Sequence, residues 1–489
     1  MGDKSIVIDI LGDISLAWWE ADEMEALGMA NKINMFLGKV DYRLADFETP
    51  IVLNEEAEPI DKSGPNLKND NRYIPFFEKL DIDGYLLANN HLGDYGEEGI
   101  VDTINLLQDL KKDYIGAAKM QEEIYKPLRK EIDGIKLSIF SVCENEFGVA
   151  AKDQIGVAGY NKKMLKKLIE EENIWADYKI MIFHGGTEYY PFPSPGQKER
   201  YHELVDWGMD AVVGMHTHCP QGYEIYKEVP IVYSVGNFFF PRRFETPFEG
   251  WKLGYIARMT LGKEKKVSLD VIPYEFDVYG LEFSAFNKNR FIKYLDEISE
   301  VINDDLHLEN LYNAWATMSG AAYFKLMCRS AVNVEDRGNL SHIKNMFSCE
   351  SHDELLRTYL NLKYKHEIGK FAEKSSEIKW HMRMLEDSFW CGGQRGKILD
   401  ETDCFIWGIS QKASILFEKL KVCNRKIVFV DKDPLKQGLA FMGNEIISPD
   451  ELVYHYKDQE IYICTTQKSA LEIKKYLKKN GIEKNISIC

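Results

Sequence analysis

The chain has 489 residues, too many for one ordinary hydrophobic core, so two or three domains are expected. A formal net charge of −17, with 28% charged and 45% hydrophobic residues, describes a water-soluble folded protein and argues against a nucleic-acid backbone as main partner. The 9 cysteines form no CxxC pair, which points to a reducing cytoplasm and away from a disulfide scaffold or zinc knuckle. No apolar run approaches the roughly 18 residues of a membrane span. The N-terminal stretch MGDKSIVIDILGDISLAWW lacks the basic start and cleavage site of a signal peptide, and Ile6 stands where a myristoylation signal wants Ser or Thr.

In chain order, short apolar runs alternate with helical stretches. Strands are predicted at 5–12, 42–48, 84–90, 135–143, 178–185, 210–216 and 230–237. Helices are predicted at 24–37, 71–80, 97–110, 120–131, 161–174 and 197–207. LGYIARMTL and KVSLDVIPYEF then read as an antiparallel pair that closes a layered α/β domain, assigned to residues 1–285. Residues 286–398 carry apolar positions at three and four spacing without a proline, and read as a helical region. Residues 399–489 return to alternating strands and helices, and read as a small Rossmann-like α/β domain.

Ligands of α/β sheets gather at the carboxyl ends of strands. Here Asp13 follows IVIDILG, Glu48 follows YRLADF, and Asn89, Asn90 and His91 follow GYLLA. His184 follows KIMIF, and His216 and His218 follow AVVGM; only IKLSIFSVC is read as ending without such a residue. Carboxylates, an amide and imidazoles in this mixture suit a pair of divalent ions, with several histidines favouring Mn, Zn or Fe over Mg.

Five stretches carry a resemblance. GDIS (12–15), DFETP (46–50), ANNHLGDYGEEG (88–99), HGGTEYYPFP (184–193) and GMHTHCPQGYEIYKEVPIVYSVGNFFF (214–240) resemble, in order, the bacterial capsule-synthesis, CapA-type family. That family is known from poly-γ-glutamate biosynthesis and belongs to the calcineurin-like metallophosphoesterase superfamily. The resemblance spans about residues 4–280 and implies a four-layered α/β/β/α sandwich. It implies Asp13 as a terminal ligand of the first metal and Glu48 as the bridging carboxylate. Asn90 would be the amide ligand, His184 and His216 would complete the second metal, and His218 the first. His91 would be the catalytic histidine that binds no metal, oriented by Asp94.

Two departures stand out. The superfamily's first motif is Asp-x-His, whereas this chain has Asp13-Ile14-Ser15; and Asp46 stands where the family has Asn, which makes it a group behind the ligands. Family members are often membrane-anchored and extracytoplasmic, and no anchor is read here.

Further out, Glu188, Asn237, Arg242 and Arg243 are candidates to meet an anionic substrate, with Asn66 and Lys68 behind them. Cys143 and Cys219 are read as surface cysteines that fill space rather than react. In the last domain Gly408, Ser410 and Asp431 have the spacing of a ribose-binding turn, but the glycine pattern is incomplete. Scaffold or docking duty is therefore weighed above nucleotide binding. The leading reading is a metal-dependent hydrolase of a phosphoester, ester or amide bond in a small or polymeric anionic substrate, related to capsule polysaccharide or poly-γ-glutamate biosynthesis. The alternative is a non-catalytic, metal-containing binding or assembly protein that works with capsule-pathway proteins. A third reading makes the last domain a nucleotide-sugar enzyme.

Overall fold

In the computed structural model, residues 5–241 except 153, 249–276 except 263, 283–284, 288–384 and most of 402–488 (without 422–424, 434–435, 437–439 and 443) are described. The first strand, β1 (Ile6–Ile14), is followed by α1 (Glu23–Leu37), β2 (Tyr42–Phe47), α2 (Ile74–Lys79), β3 (Gly84–Leu86), α3 (Gly96–Asp109) and β4 (Asp113–Ile115). These four strands pair in parallel, as βαβ crossovers require. On the other side of β1 lie β12 (Leu253–Leu261), β13 (Val267–Phe276) and β14 (Phe283–Ser284), all antiparallel.

A second sheet runs β5 (Leu128–Ile132), β6 (Ile135–Cys143), β7 (Tyr178–His184), β8 (Ala211–Met215), β10 (Val229–Val232) and β9 (Tyr223–Tyr226). Helices α4 (Lys162–Glu172) and α5 (Pro195–Asp206) are its crossovers. Strands β1, β2, β7 and β8 are buried on both faces, so each sheet needs cover on both sides. Helices cover the outer faces and the sheets cover each other, which is the α/β/β/α sandwich expected.

Two predicted elements came out differently. Residues 120–131, expected as a helix, give only a single 3-10 turn at Gln121–Glu123 and then β5, which pairs antiparallel with β6. Asp133 (φ 50°) and Gly134 (φ 81°) form the turn between them, and an Asp-Gly pair with both φ positive is the signature of a tight hairpin. The run 230–237, expected as one strand, is split. Its first part is β10 in the second sheet, and its end begins β11 (Asn237–Phe239), which pairs with β1 in the first. The chain thus crosses between sheets beside Asp13, whose register partner is Asn237.

The crossing depends on Gly12. A β-carbon there would sit 1.7 Å from the Gly236 carbonyl oxygen, so only glycine lets the two strands approach. The pairing register of β1 shifts here against both β2 and β11, an irregularity that re-aims Asp13. At the opposite end of β1, buried Asp9 accepts from Arg258 Nε (2.7 Å) and Arg43 Nη2 (3.3 Å), tying β12, β1 and β2 together.

The chain divides into two compact units, the larger taking in nearly all described residues up to Ile378. Its helical segment comprises α6 (Lys288–Ile302), α7 (Asp305–Val332), α8 (Arg337–Ser348), α9 (Glu350–Tyr364) and the first half of α10 (Ala372–Met384). Gly320 of α7 faces the Tyr359 ring of α9, 2.4 Å from where a β-carbon would be, so these helices pack in close contact. The start of α9 docks on the α/β layers. Glu350 accepts from the Asn145 backbone N–H (2.9 Å), and Glu354 accepts from Ser194 Oγ (2.6 Å) and the Gly196 N–H (2.8 Å).

The smaller unit carries β15 (Cys404–Trp407), α11 (Gln411–Lys421), β16 (Ile427–Val430), β17 (Ala440–Phe441), β18 (Asn444–Ile447), α12 (Pro449–His455), β19 (Glu460–Ile463), α13 (Gln467–Lys479) and β20 (Ile486–Ile488). Its sheet order is β17-β18-β16-β15-β19-β20, parallel except for β17, with apolar layers on both faces.

Candidate metal centre

Strand ends from both sheets of the larger unit meet at one place. Asp13 closes β1, Asp46 and Glu48 close β2, the turn Asn89–His91 follows β3, His184 ends β7, and His216 and His218 follow β8. Asp13, Asp46 and Glu48 are fully buried, and the three imidazoles nearly so.

Two groups of donors form. Asp13, Glu48 and His218 place one ligand atom each within 4.8 Å of one another. The His218 Nε2 atom is 3.9 Å from Glu48 Oε1, and its Nδ1 lies 3.6 Å from Asp13 Oδ2. In the second group His184 Nε2 lies 3.1 Å from Asn90 Oδ1 and 3.0 Å from His216 Nδ1. The other nitrogen of His184, Nδ1, is 2.6 Å from Asp46 Oδ2. Asp46 also accepts from Asn89 Nδ2 at 2.8 Å. A carboxylate behind an imidazole fixes its ring and raises its basicity as a ligand.

Neither oxygen of Asp13 nor of Glu48 has a partner in hydrogen-bonding geometry. Burial, then the neighbouring carboxylate charges, push Asp13 and Glu48 well above the usual carboxylate range; burial does the same to Asp46. Burial pushes His184 and His216 down to about 3 and His218 well below its ordinary value, so the imidazoles are neutral with lone pairs to donate. Unpaired buried carboxylates cost several kcal/mol unless a cation meets them. The donor set fits divalent metal on this ground.

The backbone explains how one loop supplies two imidazoles. His216 has φ 94° and His218 φ 54°, both in the left-handed region that residues with a β-carbon avoid. Thr217 between them anchors the loop by donating to the Cys219 carbonyl (2.9 Å) and accepting from the Ser234 hydroxyl (2.8 Å). Trp251 stacks at 4.5 Å against the His218 ring.

His91 is held differently. Its Nδ1 is 2.7 Å from Asp94 Oδ2, and the Leu67 N–H donates to the same oxygen at 2.7 Å. Lys62, which the sequence reading passed over, places Nζ 3.1 Å from His91 Nδ1 and pairs with Asp94 Oδ1. The His91 side chain is 12% exposed, so it reaches solvent while Asp94 does not.

The expected substrate residues scatter. Asn237 is fully buried, accepting from His218 Nδ1 at 2.9 Å and donating to the Trp251 carbonyl at 3.0 Å, so both ends of its amide are engaged. Glu188, on the loop after β7, keeps part of its surface exposed yet lines a small cavity beside His216, where burial pushes its carboxyl up to about 7. Arg242 and Arg243 lie outside the described residues. Asn66 donates to the Ile60 carbonyl (3.1 Å), and Lys68 lies over the Tyr95 ring. Cys143 and Cys219 are buried, not on the surface, as space-filling cysteines would be. Asp431 spends Oδ1 on the Asp433 N–H (2.9 Å) and Oδ2 on Lys436 (3.1 Å), within its own turn.

The reading of β6 needs correction. Glu144 follows Cys143 directly and accepts from Arg200 (2.9 Å) and Ser351 Oγ (2.8 Å), and Glu146 lies 3.0 Å from His352 Nε2. This strand end is as polar as the others, and its partners come from α5 and from α9, the latter too far along the chain for spacing to reveal.

Residues 8–242 match the family described as bacterial capsule synthesis protein PGA_cap. The chain is 26% identical to the capsule biosynthesis protein CapA of Bacillus anthracis, over 60% of this chain and 73% of that protein. It is 25% identical to the PGA biosynthesis protein CapA of Bacillus subtilis (strain 168), over 49% of this chain and 64% of that protein. Among solved structures it is similar to a 5′-nucleotidase precursor from Thermus thermophilus, at 13% identity over 61% of this chain and 60% of that one, TM-score 0.34. Among the described residues no helix is long and apolar enough to cross a membrane.

Proposed function

From a chain whose residues 8–242 belong to the bacterial capsule-synthesis PGA_cap family, we propose a metal-dependent hydrolase that serves capsule polysaccharide or poly-γ-glutamate biosynthesis. One observation carries the reading: four fully buried carboxylate oxygens, on Asp13 and Glu48, face neutral imidazoles without a hydrogen-bond donor. Asp13, Glu48 and His218 would hold one divalent ion, and Asn90, His184 and His216 the other. Asp13, which also lies 3.9 Å from His184 Nδ1, is as well placed as Glu48 to be shared. When bound, such ions supply a water of lowered pKa and polarise the group under attack.

The chain's own residues supply the rest. Asp46 orients His184, and Asn237 orients His218. Asp94 takes the Nδ1 side of His91, which leaves Nε2 to hand a proton to the leaving group. Lys62 sets a positive charge beside this pair. The substrate is a phosphoester, ester or amide in an anionic molecule or polymer.

A second reading, a metal-containing assembly protein without catalysis, is favoured by one feature. Ser15, where the superfamily has a histidine, is buried and accepts from Thr49 Oγ1 at 2.6 Å, so it brings no imidazole. Metal analysis and turnover of chromogenic phosphoesters with added Mn separate the two. We expect His91→Ala to keep its metal and lose activity by about 100-fold or more. A metal-loaded wild type that turns over no ester, amide or glutamyl polymer would leave the assembly reading.

A further inference from the structure

Beside the centre, a second set of metal-capable side chains comes together from elements distant in sequence. Glu146 on the loop after β6, Cys349 at the junction of α8 and α9, and His352 in the first turn of α9 bring their ligand atoms within 4.8 Å of one another. They line a cavity of about 20 Å³ together with Glu188, Tyr323 and His216. That volume holds one water or one ion and excludes a sugar or a phosphate.

The lining selects the occupant. Two carboxylates, a thiol and two imidazoles face the void, and neither lysine nor arginine lines it. Hydroxyls of Thr187, Ser351 and Tyr323 are the lining's neutral donors, but the two carboxylates and the thiol favour a cation over an anion. A thiolate with an imidazole selects zinc or cobalt over magnesium or calcium. Tetrahedral coordination with bonds of about 2.0–2.3 Å places donors roughly 3.3–3.8 Å apart, so donors that now lie within 4.8 Å of one another need close by no more than about 1 Å. Without an ion, His352 Nε2 pairs with Glu146 Oε1 at 3.0 Å and Cys349 Sγ donates to Glu144 Oε2 at 3.3 Å. Cys349 and His352, three residues apart at the start of a helix, project to the same side.

We propose that Glu146, Cys349 and His352 hold a third divalent ion, zinc or cobalt, that pins α9 to the loop after β6. Glu188 or a water takes the fourth position. As the sulfur–metal bond forms, the thiol proton passes to solvent. The ion's place next to His216 puts the helical segment in register with the centre, and the site does not depend on how the centre itself is used.

Cobalt titration of the metal-stripped full-length protein tests this, because a cysteine ligand gives a thiolate-to-cobalt charge-transfer band in the near ultraviolet. The wild type is expected to show the band, Cys349→Ser to lose it, and His352→Gln to need at least about 10-fold more cobalt. His218→Gln, which disables the centre, should keep it. Metal counts on His218→Gln report on the centre separately, so failure there and failure here are distinct results. A wild type without the band, or a band unchanged in Cys349→Ser, overturns the site. If circular dichroism shows Cys349→Ser unfolded, His352→Gln decides: an unchanged cobalt requirement overturns the site and a weakened one supports it.

Discussion

Asp94 has one oxygen shared between the His91 ring and the Leu67 N–H, and the other paired with Lys62. Asp94→Asn keeps the shape but removes the charge that orients the ring. We expect a fall in turnover of about 10- to 100-fold with unchanged metal content, read by steady-state kinetics beside elemental analysis. At the centre burial makes Asp13, Asp46 and Glu48 hold a proton more tightly than free carboxylates do, while it pushes His184, His216 and His218 down. A metal ion must therefore expel carboxylate protons, and its affinity rises with pH by about tenfold per unit for each proton released. Calorimetric titration with Mn at pH 6 and pH 8 should show tighter binding at pH 8; equal affinities would contradict this proton accounting. The ligand-type residues were legible because each ends a strand inside a recognisable motif. Lys62 and His352 were not, since a lysine in a polar loop and a histidine on a distant helix have no periodic signal.

Among the elements, β1 carries the tightest constraint. Gly12→Ala would set a methyl group 1.7 Å from the Gly236 carbonyl oxygen, so β1 and β11 must part. We expect a loss of more than about 3 kcal/mol, measured by urea unfolding of the metal-free protein, and weaker metal binding as Asp13 moves. The sequence made most of the strands and helices plain because their apolar periods are long and clean. It misled at 120–131, where the Asp133-Gly134 turn outweighed a helix-like pattern. It misled again at 230–237, where an unbroken apolar run conceals the change of sheet. Periodicity records which faces are buried but not which sheet buries them.

For the whole molecule, the two compact units have separate cores, and all the centre's proposed ligands lie in the larger. Scanning calorimetry of the full chain should resolve two transitions, and removing metal with a chelator should lower only that of the larger unit. A common shift of both would mean the units unfold together. The loop that carries His216 and His218 has one further consequence. Its two imidazoles hang from a single bent peptide segment, one residue apart, each proposed for a different half of the centre. Slackening at either position reaches the other through Thr217 and across the neighbouring rings. Where both halves are filled, the loop couples them mechanically, and stripping one cation is expected to loosen the grip on its neighbour.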